Sequence, residues 1–266
     1  MSWTQAAFAA EPALSIYLKD GRVIAVPAFE RQGDTLMVNV VVAGAAGKVG
    51  YPIANVAKLE SPEPPALQEA VQLQVSGKLI DALAKVNGVA KAEEPVRDLP
   101  GSWWPKAVAI RLPLLIALHL DREAAALTSQ MLACKASSAP VQLAQAEQAS
   151  DWIRRGQPQK TLDMVEPIIA ASKSPDVLAP VWLVKADALL ALRQYPQAIL
   201  AYLRVPVLYP HQQQFIPTAM LGAGRSQFFA DDAQDGTNTL KDLLRKFPDA
   251  PEAAPAKDEL KKRKAL

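Results

Sequence analysis

The sequence predicts a small all-β module followed by an all-α solenoid of antiparallel helix pairs. Residues 14–60 hold short β-branched runs separated by turn residues, the period-two texture of strands. Beyond residue 65 the apolar residues fall three and four apart, as on one face of a helix. There, turn positions at Gly77, Asp121, Gly156, Arg193 and Asp231 recur every 35 to 44 residues. Five residues after each stands Ala82, Ala126, Thr161, Ala198 or Gly236, small enough for two helices to approach closely. A single pair cannot bury its own apolar face, so regular spacing of this kind predicts stacked neighbours.

The elements follow in order. Residues 1–13 carry neither strand nor helix pattern and read as a disordered or residual export segment. Strands are expected at 15–19, 22–26, 35–42, 49–53 and 56–60. Asp20-Gly21 makes a tight hairpin turn, Gly33-Asp34 introduces the third strand, and Gly44-Ala45-Ala46-Gly47 forms a loop before the fourth. A single turn at Ala54-Asn55 precedes the last strand. The linker at 61–65, Ser61-Pro62-Glu63-Pro64-Pro65, is stiff and extended because consecutive prolines favour polyproline geometry.

Residues 66–250 make about five helix pairs. The long first interval contains Glu93-Glu94-Pro95 and Leu99-Pro100-Gly101-Ser102, read as a loop. Pro113, Pro167 and Pro206 fall inside expected helices, where each removes a hydrogen bond and bends the axis. Tyr209-Pro210 and Phe247-Pro248 end the last two pairs. Residues 251–266 form a charged closing helix and tail, the polar outer face that a terminal cap requires.

Composition narrows the function classes. At 266 residues with half of them hydrophobic, the chain has ample material for a core and is not intrinsically disordered. A net charge near +2, with acids and bases interspersed, makes no electrostatic case for nucleic acid. No apolar run reaches the roughly 18 residues that span a bilayer. The single Cys134 cannot form an internal disulfide. Ala7-Phe8-Ala9, ahead of Ala10-Glu11-Pro12, has the small-x-small form of a secretory cleavage site. It points to an exported, periplasmic chain whose signal peptide is missing ahead of it; a chance match in an alanine-rich cytoplasmic protein is the alternative.

Trp182, Ala186, Leu189, Tyr195, Ala198, Tyr202 and Pro210 follow an order of tryptophan, small, aromatic, alanine, aromatic and proline. That order resembles a tetratricopeptide repeat, whose period is about 34 residues. Tyr195-Pro196-Gln197-Ala198, Tyr209-Pro210, Leu221-Gly222 and Phe247-Pro248 are similar to the carboxy-terminal repeats of bacterial envelope proteins. Two such groups are the Tol-Pal-associated periplasmic coordinator and the outer-membrane assembly lipoproteins. The likeness covers about seventy residues, and neither group's lipobox nor coiled-coil segment is present. The five short strands, with their late single turn, resemble a small SH3-like or Sm-like barrel, a fold shared by many unrelated proteins.

Catalytic chemistry has no visible constellation. Two histidines, His119 and His211, stand apart, without metal-ligand spacing, nucleophile elbow or phosphate loop, and no cofactor is implied. Gly222-Ala223-Gly224 has no strand before it and reads as close helix packing. Asp231, Asp232 and Asp235 suit the acidic start of a helix as well as a cation site.

Recognition then falls to surfaces. The tetratricopeptide resemblance implies that the first helix of each pair lines a concave groove. Counted back from each turn, the candidates are Arg111, Leu115 and His119 from the second pair, and Ser150 and Arg154 from the third. Leu183 and Asp187 come from the fourth and Arg225 and Phe228 from the fifth. Arg111, Arg154 and Arg225 are placed to grip the carboxylates of an extended peptide; solvated or internally paired arginines are the alternative. The Asn/Lys clamp of chaperone-binding repeats is not recognisable. Trp103 and Trp104 start a helix, where only one can face inward, so the other seals a domain junction or meets a partner.

Together these readings give a non-enzymatic adaptor that holds another protein in an envelope assembly, with no membrane span. An RNA-associated module using the barrel is the main alternative, although single-strand readers need exposed aromatics beside cations. A cytoplasmic adaptor of the same architecture, or an enzyme working through Asp187 or His119, are the others.

Overall fold

Strand formation at the start of the chain follows from β-branched residues held between glycine turns. The computed structural model describes residues 14–42, 45–135 and 138–263. The Ala7-Phe8-Ala9 motif lies outside them. Packing divides the described chain into two units: the strands with residues 89–104, and residues 65–88 with the helices from residue 105 onward.

In the first unit the strands are β1 (Leu14–Leu18), β2 (Val23–Val26), β3 (Phe29–Gln32), β4 (Thr35–Val42), β5 (Ala45–Pro52) and β6 (Val56–Glu60). They form two antiparallel three-stranded sheets, ordered β2-β1-β6 and β3-β4-β5. Gly21 at φ 90° turns β1 into β2, and Gly33 at φ 57° turns β3 into β4, conformations that suit a residue without Cβ.

The expected closed barrel is not what forms. β5 pairs with β4 and β6 with β1, and a one-turn 3-10 segment (Ile53–Asn55) carries the chain from one sheet to the other. The outer edge of β6 is met instead by the chain near residue 100. Leu59 N donates to Pro100 O at 2.7 Å, and Gly101 at φ 87° lies against the Leu59 carbonyl, where any side chain would collide. An edge covered in this way does not need closure. Val96 and Leu99 join Ile16, Leu36 and Val38 in the core. The stretch expected to be a plain loop therefore completes the β unit. Arg31 ties it down, donating from Nη1 to Pro95 O and to the Asp98 carboxylate, each at 2.7 Å. β3 is not foreseen from its residues because Phe29-Glu30-Arg31-Gln32 is short and mostly polar. β5 starts earlier than expected, absorbing Ala45 to Gly47.

The helices are α1 (Pro65–Val75), α2 (Leu79–Glu93), α3 (Trp104–Ala117), α4 (Asp121–Leu132), α5 (Ala139–Arg154) and α6 (Pro158–Ala171). Then come α7 (Pro175–Ala191), α8 (Tyr195–Leu208), α9 (Ile216–Phe229), α10 (Ala233–Lys246) and α11 (Ala253–Lys262). From α5 to α11 each helix packs on the one before it, and α5, α7 and α9 also pack in succession. Among the described residues no helix is long and apolar enough to cross a membrane.

One local device sets the repeat-like order. Each of the five pairs turns on a left-handed residue: Gly77 (φ 72°), His119 (φ 55°), Gly156 (φ 72°), Arg193 (φ 60°) and Asp231 (φ 61°). In each, the residue's N–H bonds three residues back and the next N–H five back, as in Gly77 N to Gln74 O and Lys78 N to Leu73 O. This is the Schellman arrangement, which satisfies the last carbonyls of the first helix. The second turn is centred on His119 and not on Asp121, which already opens α4. Ala126, counted from the wrong centre, is consequently exposed on α4.

Small residues set the helix contacts. A Cβ on Gly222 of α9 would enter the ring of Tyr202 on α8, and one on Gly224 would meet Leu240 Cδ2 at 2.5 Å. Gly236 of α10 likewise receives the Phe228 ring. Thr161 is wholly buried and gives its hydroxyl proton to Ala149 O at 2.7 Å. Asp232 caps α10 by accepting from Asp235 N, so these acids begin a helix.

The first pair does not stay at its end of the series. Gln72 of α1 donates to the Gln213 side chain at 3.0 Å, and Gly77 lies so close to Asp249 O that a Cβ would stand 2.6 Å from it. α1 thereby reaches the turns before α9 and α11.

Candidate functional site

Successive first helices place apolar side chains on one wall, and α1 adds a further side to it. The resulting cavity has a volume of about 350 Å³. Leu143, Pro180 and Pro217 stand on the wall at intervals of 37 residues, as do Ala146 and Leu183. α3 contributes Leu112 and Ile116, and Phe215 comes from the 3-10 turn before α9. Pro113 and Pro180 are inside helices, and both line the cavity.

Polar groups on the wall are few, and the charged ones are all acidic: Glu147 on α5, Asp187 on α7 and Glu252 before α11, with Gln74, Gln214 and Thr218. Asp187 keeps surface open to the cavity while protein crowds it on nearly every other side. That desolvation pushes its carboxyl up to about 6, against the opposing pull of the Tyr202 hydroxyl, which donates to it. Tyr202 in turn is raised far above the ordinary phenol range, first by burial and then by the Asp187 charge. Desolvation also raises Glu147, while the charge of Arg154 partly offsets it.

The residues singled out in the sequence distribute unevenly. Leu183 and Asp187 are on the cavity wall. Leu115 is buried behind it, and His119 is the left-handed turn residue. Ser150 donates to Glu147 O at 2.7 Å. Phe228 lies in the core beneath the Arg263 guanidinium, 4.1 Å from its ring centre.

The three arginines do not form a grip. Arg154 pairs with Asp151, Arg225 Nε lies 3.4 Å from Glu259, and Arg111 buries its Nε without a hydrogen-bond partner among the described residues. None of the three lines the cavity. A fixed count back from each turn fails because the second turn sits two residues earlier and the helix lengths differ. The recurring interval of 37 is the usable signal. Glu147 escapes such a count because it lies one turn before Ser150 on the same helix, while Glu252 belongs to a connection that no repeat position marks.

Trp103 donates from its indole to Ser61 Oγ at 3.0 Å, and its backbone N–H donates to Glu93 at 2.9 Å. Trp104 begins α3 and is buried. Among the described residues no three metal-ligating side chains gather to hold an ion. No protein-family model, curated protein or solved structure matches this chain.

Proposed function

We propose that the chain is a non-enzymatic adaptor whose helical unit is a tetratricopeptide-like solenoid that binds a partner protein in its cavity. The observation that carries this reading is the wall itself: α3, α5, α7 and α9 each present apolar residues to one space, at a repeating interval. A stacked array supplies binding surface in this way, whereas an enzyme needs a nucleophile, acid or base converging on one reacting atom. The resemblance to envelope repeats supports a place in a bacterial envelope assembly, in the periplasm. The RNA reading has less support, because the Lys58 ammonium already covers the Tyr17 ring at 4.2 Å and pairs with Glu60.

Selection of a random peptide library on the purified chain tests the site. Enriched apolar segments should lose binding by about tenfold or more when Ile116→Glu or Val184→Glu places a charge on the wall. Binding unchanged in both variants would remove the cavity from the proposal. Fractionation of the source cells with an antibody to the chain tests the compartment, and recovery in the cytoplasm would refute the periplasmic placement.

A further inference from the structure

We infer that the occupant is an apolar segment of a partner protein carrying one lysine or arginine, which pairs with the carboxylates of Glu147 and Asp187. This deepens the adaptor reading and rests on it.

Donors and acceptors on the cavity wall are unevenly matched. Glu147 accepts from the Ser150 hydroxyl at 3.4 Å and has Arg154 at 3.9 Å. Asp187 accepts from Tyr202, and Glu252 accepts from Thr218 at 2.6 Å. Each carboxylate has room for up to four hydrogen bonds, so most of their accepting capacity is unused. Gln74 Oε1 is buried with no partner among the described residues. Pro113 has no N–H, so the Ala109 carbonyl, one turn earlier on the same wall, lacks its helical donor.

Donors are fewer: the Gln74 amide nitrogen is on the wall, and two others are already engaged. Gln214 Nε2 gives its proton to Gln212 at 2.9 Å, and the Thr218 hydroxyl serves Glu252. Among the described residues no lysine, arginine or histidine stands on the wall.

Charge then selects the guest. An acidic segment would bring a further negative charge against three carboxylates, where like charges repel. A purely apolar one would strip those carboxylates of solvent and return nothing. A cationic side chain supplies three or more donors on a long apolar stem, matching both the acceptors and the wall. Glu147 and Asp187 are on helices that pack together, and both face the same cavity. The volume of about 350 Å³ falls in the range of ligand-sized pockets, enough for one long side chain and part of its neighbours.

The test uses the full chain and fluorescein-labelled nonapeptides of leucine and valine around one central position, flanked by glycine and serine. The centre is lysine, norleucine or glutamate, and anisotropy is read at neutral pH and low ionic strength. The lysine peptide should bind about tenfold tighter than the glutamate peptide, and E147Q/D187N should abolish that preference while norleucine binding persists. Equal affinity for lysine and glutamate peptides overturns the charge inference and leaves the adaptor reading standing. A preference that survives E147Q/D187N overturns the assignment to these two residues. Failure of all three peptides to bind the unaltered chain sinks both readings. Circular dichroism melts of the variant keep loss of fold separate from loss of binding.

Discussion

Replacing Gly222 with alanine tests the packing that builds the cavity wall. The added methyl on α9 would enter the Tyr202 ring, which is 2% exposed and has no open space to retreat into. Tyr202 also holds Asp187 through its hydroxyl, so a displaced ring loses a hydrogen bond to a charged acceptor. Overpacking of this kind costs about 1–3 kcal/mol, and a strained hydrogen bond adds about 1 kcal/mol. Alanine regains about 1 kcal/mol of helix propensity. The net expectation is a loss of about 2 kcal/mol, or on the order of 4–8 °C in Tm for a unit of this size. Gly88 supplies the control: it sits inside α2, and a methyl added there would have nothing within 4 Å. Gly88→Ala should therefore stabilise by about 0.5–1 kcal/mol. Urea unfolding followed by far-ultraviolet circular dichroism reads both. Gly222→Ala at or above the parent's stability would refute the close approach of α8 and α9.

Three further outcomes are expected. Asp187→Asn should stabilise the chain above pH ~6, because the folded carboxyl titrates near 6 against an ordinary value of 3.8. A raised folded value means stability fully present below about 3.8 and lost as pH rises through about 6, so the variant's advantage should open across that window. Two pH units set a ceiling of about 3 kcal/mol, which water in the cavity screens to roughly 1 kcal/mol; a pH-independent difference in urea midpoint would count against it. His119→Gly and Arg193→Gly should each stabilise by about 1 kcal/mol, since both residues hold a left-handed backbone, and a thermal melt showing destabilisation would contradict the turn geometry. Leu99→Ala should cost about 2–4 kcal/mol and speed amide exchange in β1 and β4, whereas unchanged exchange there would detach residues 89–104 from the β core.

Much of the helical order is legible because it is local. Gly77, Gly156, Arg193 and Asp231 are recognisable as turns from the residues around them, and Ala82, Thr161 and Ala198 as contact positions from their size. His119 escapes because histidine carries no turn signal, and the acidic Asp121 beside it does. Pro113, Pro167 and Pro206 are likewise recognisable as prolines inside helices, although their place on or off the cavity wall is not. On the β side, the hairpin at Gly21 is readable and Gly33 only as the turn that opens β4, while β3 lacks the alternation that marks a strand.

What the sequence determined by itself was the series of elements: short strands, then paired helices with a polar cap, each dictated by residues within about ten positions. Tertiary structure alone decided that the sheets stay unclosed with residues 89–104 as their missing wall, and that α1 returns to meet Gln213 and Asp249. It also decided the sign of the site, by keeping Arg154 and Arg225 off the cavity wall and placing Glu147, Asp187 and Glu252 on it. The reason is range: periodicity and turn chemistry act between neighbours, whereas burial and charge pairing depend on residues brought together from far apart in the chain.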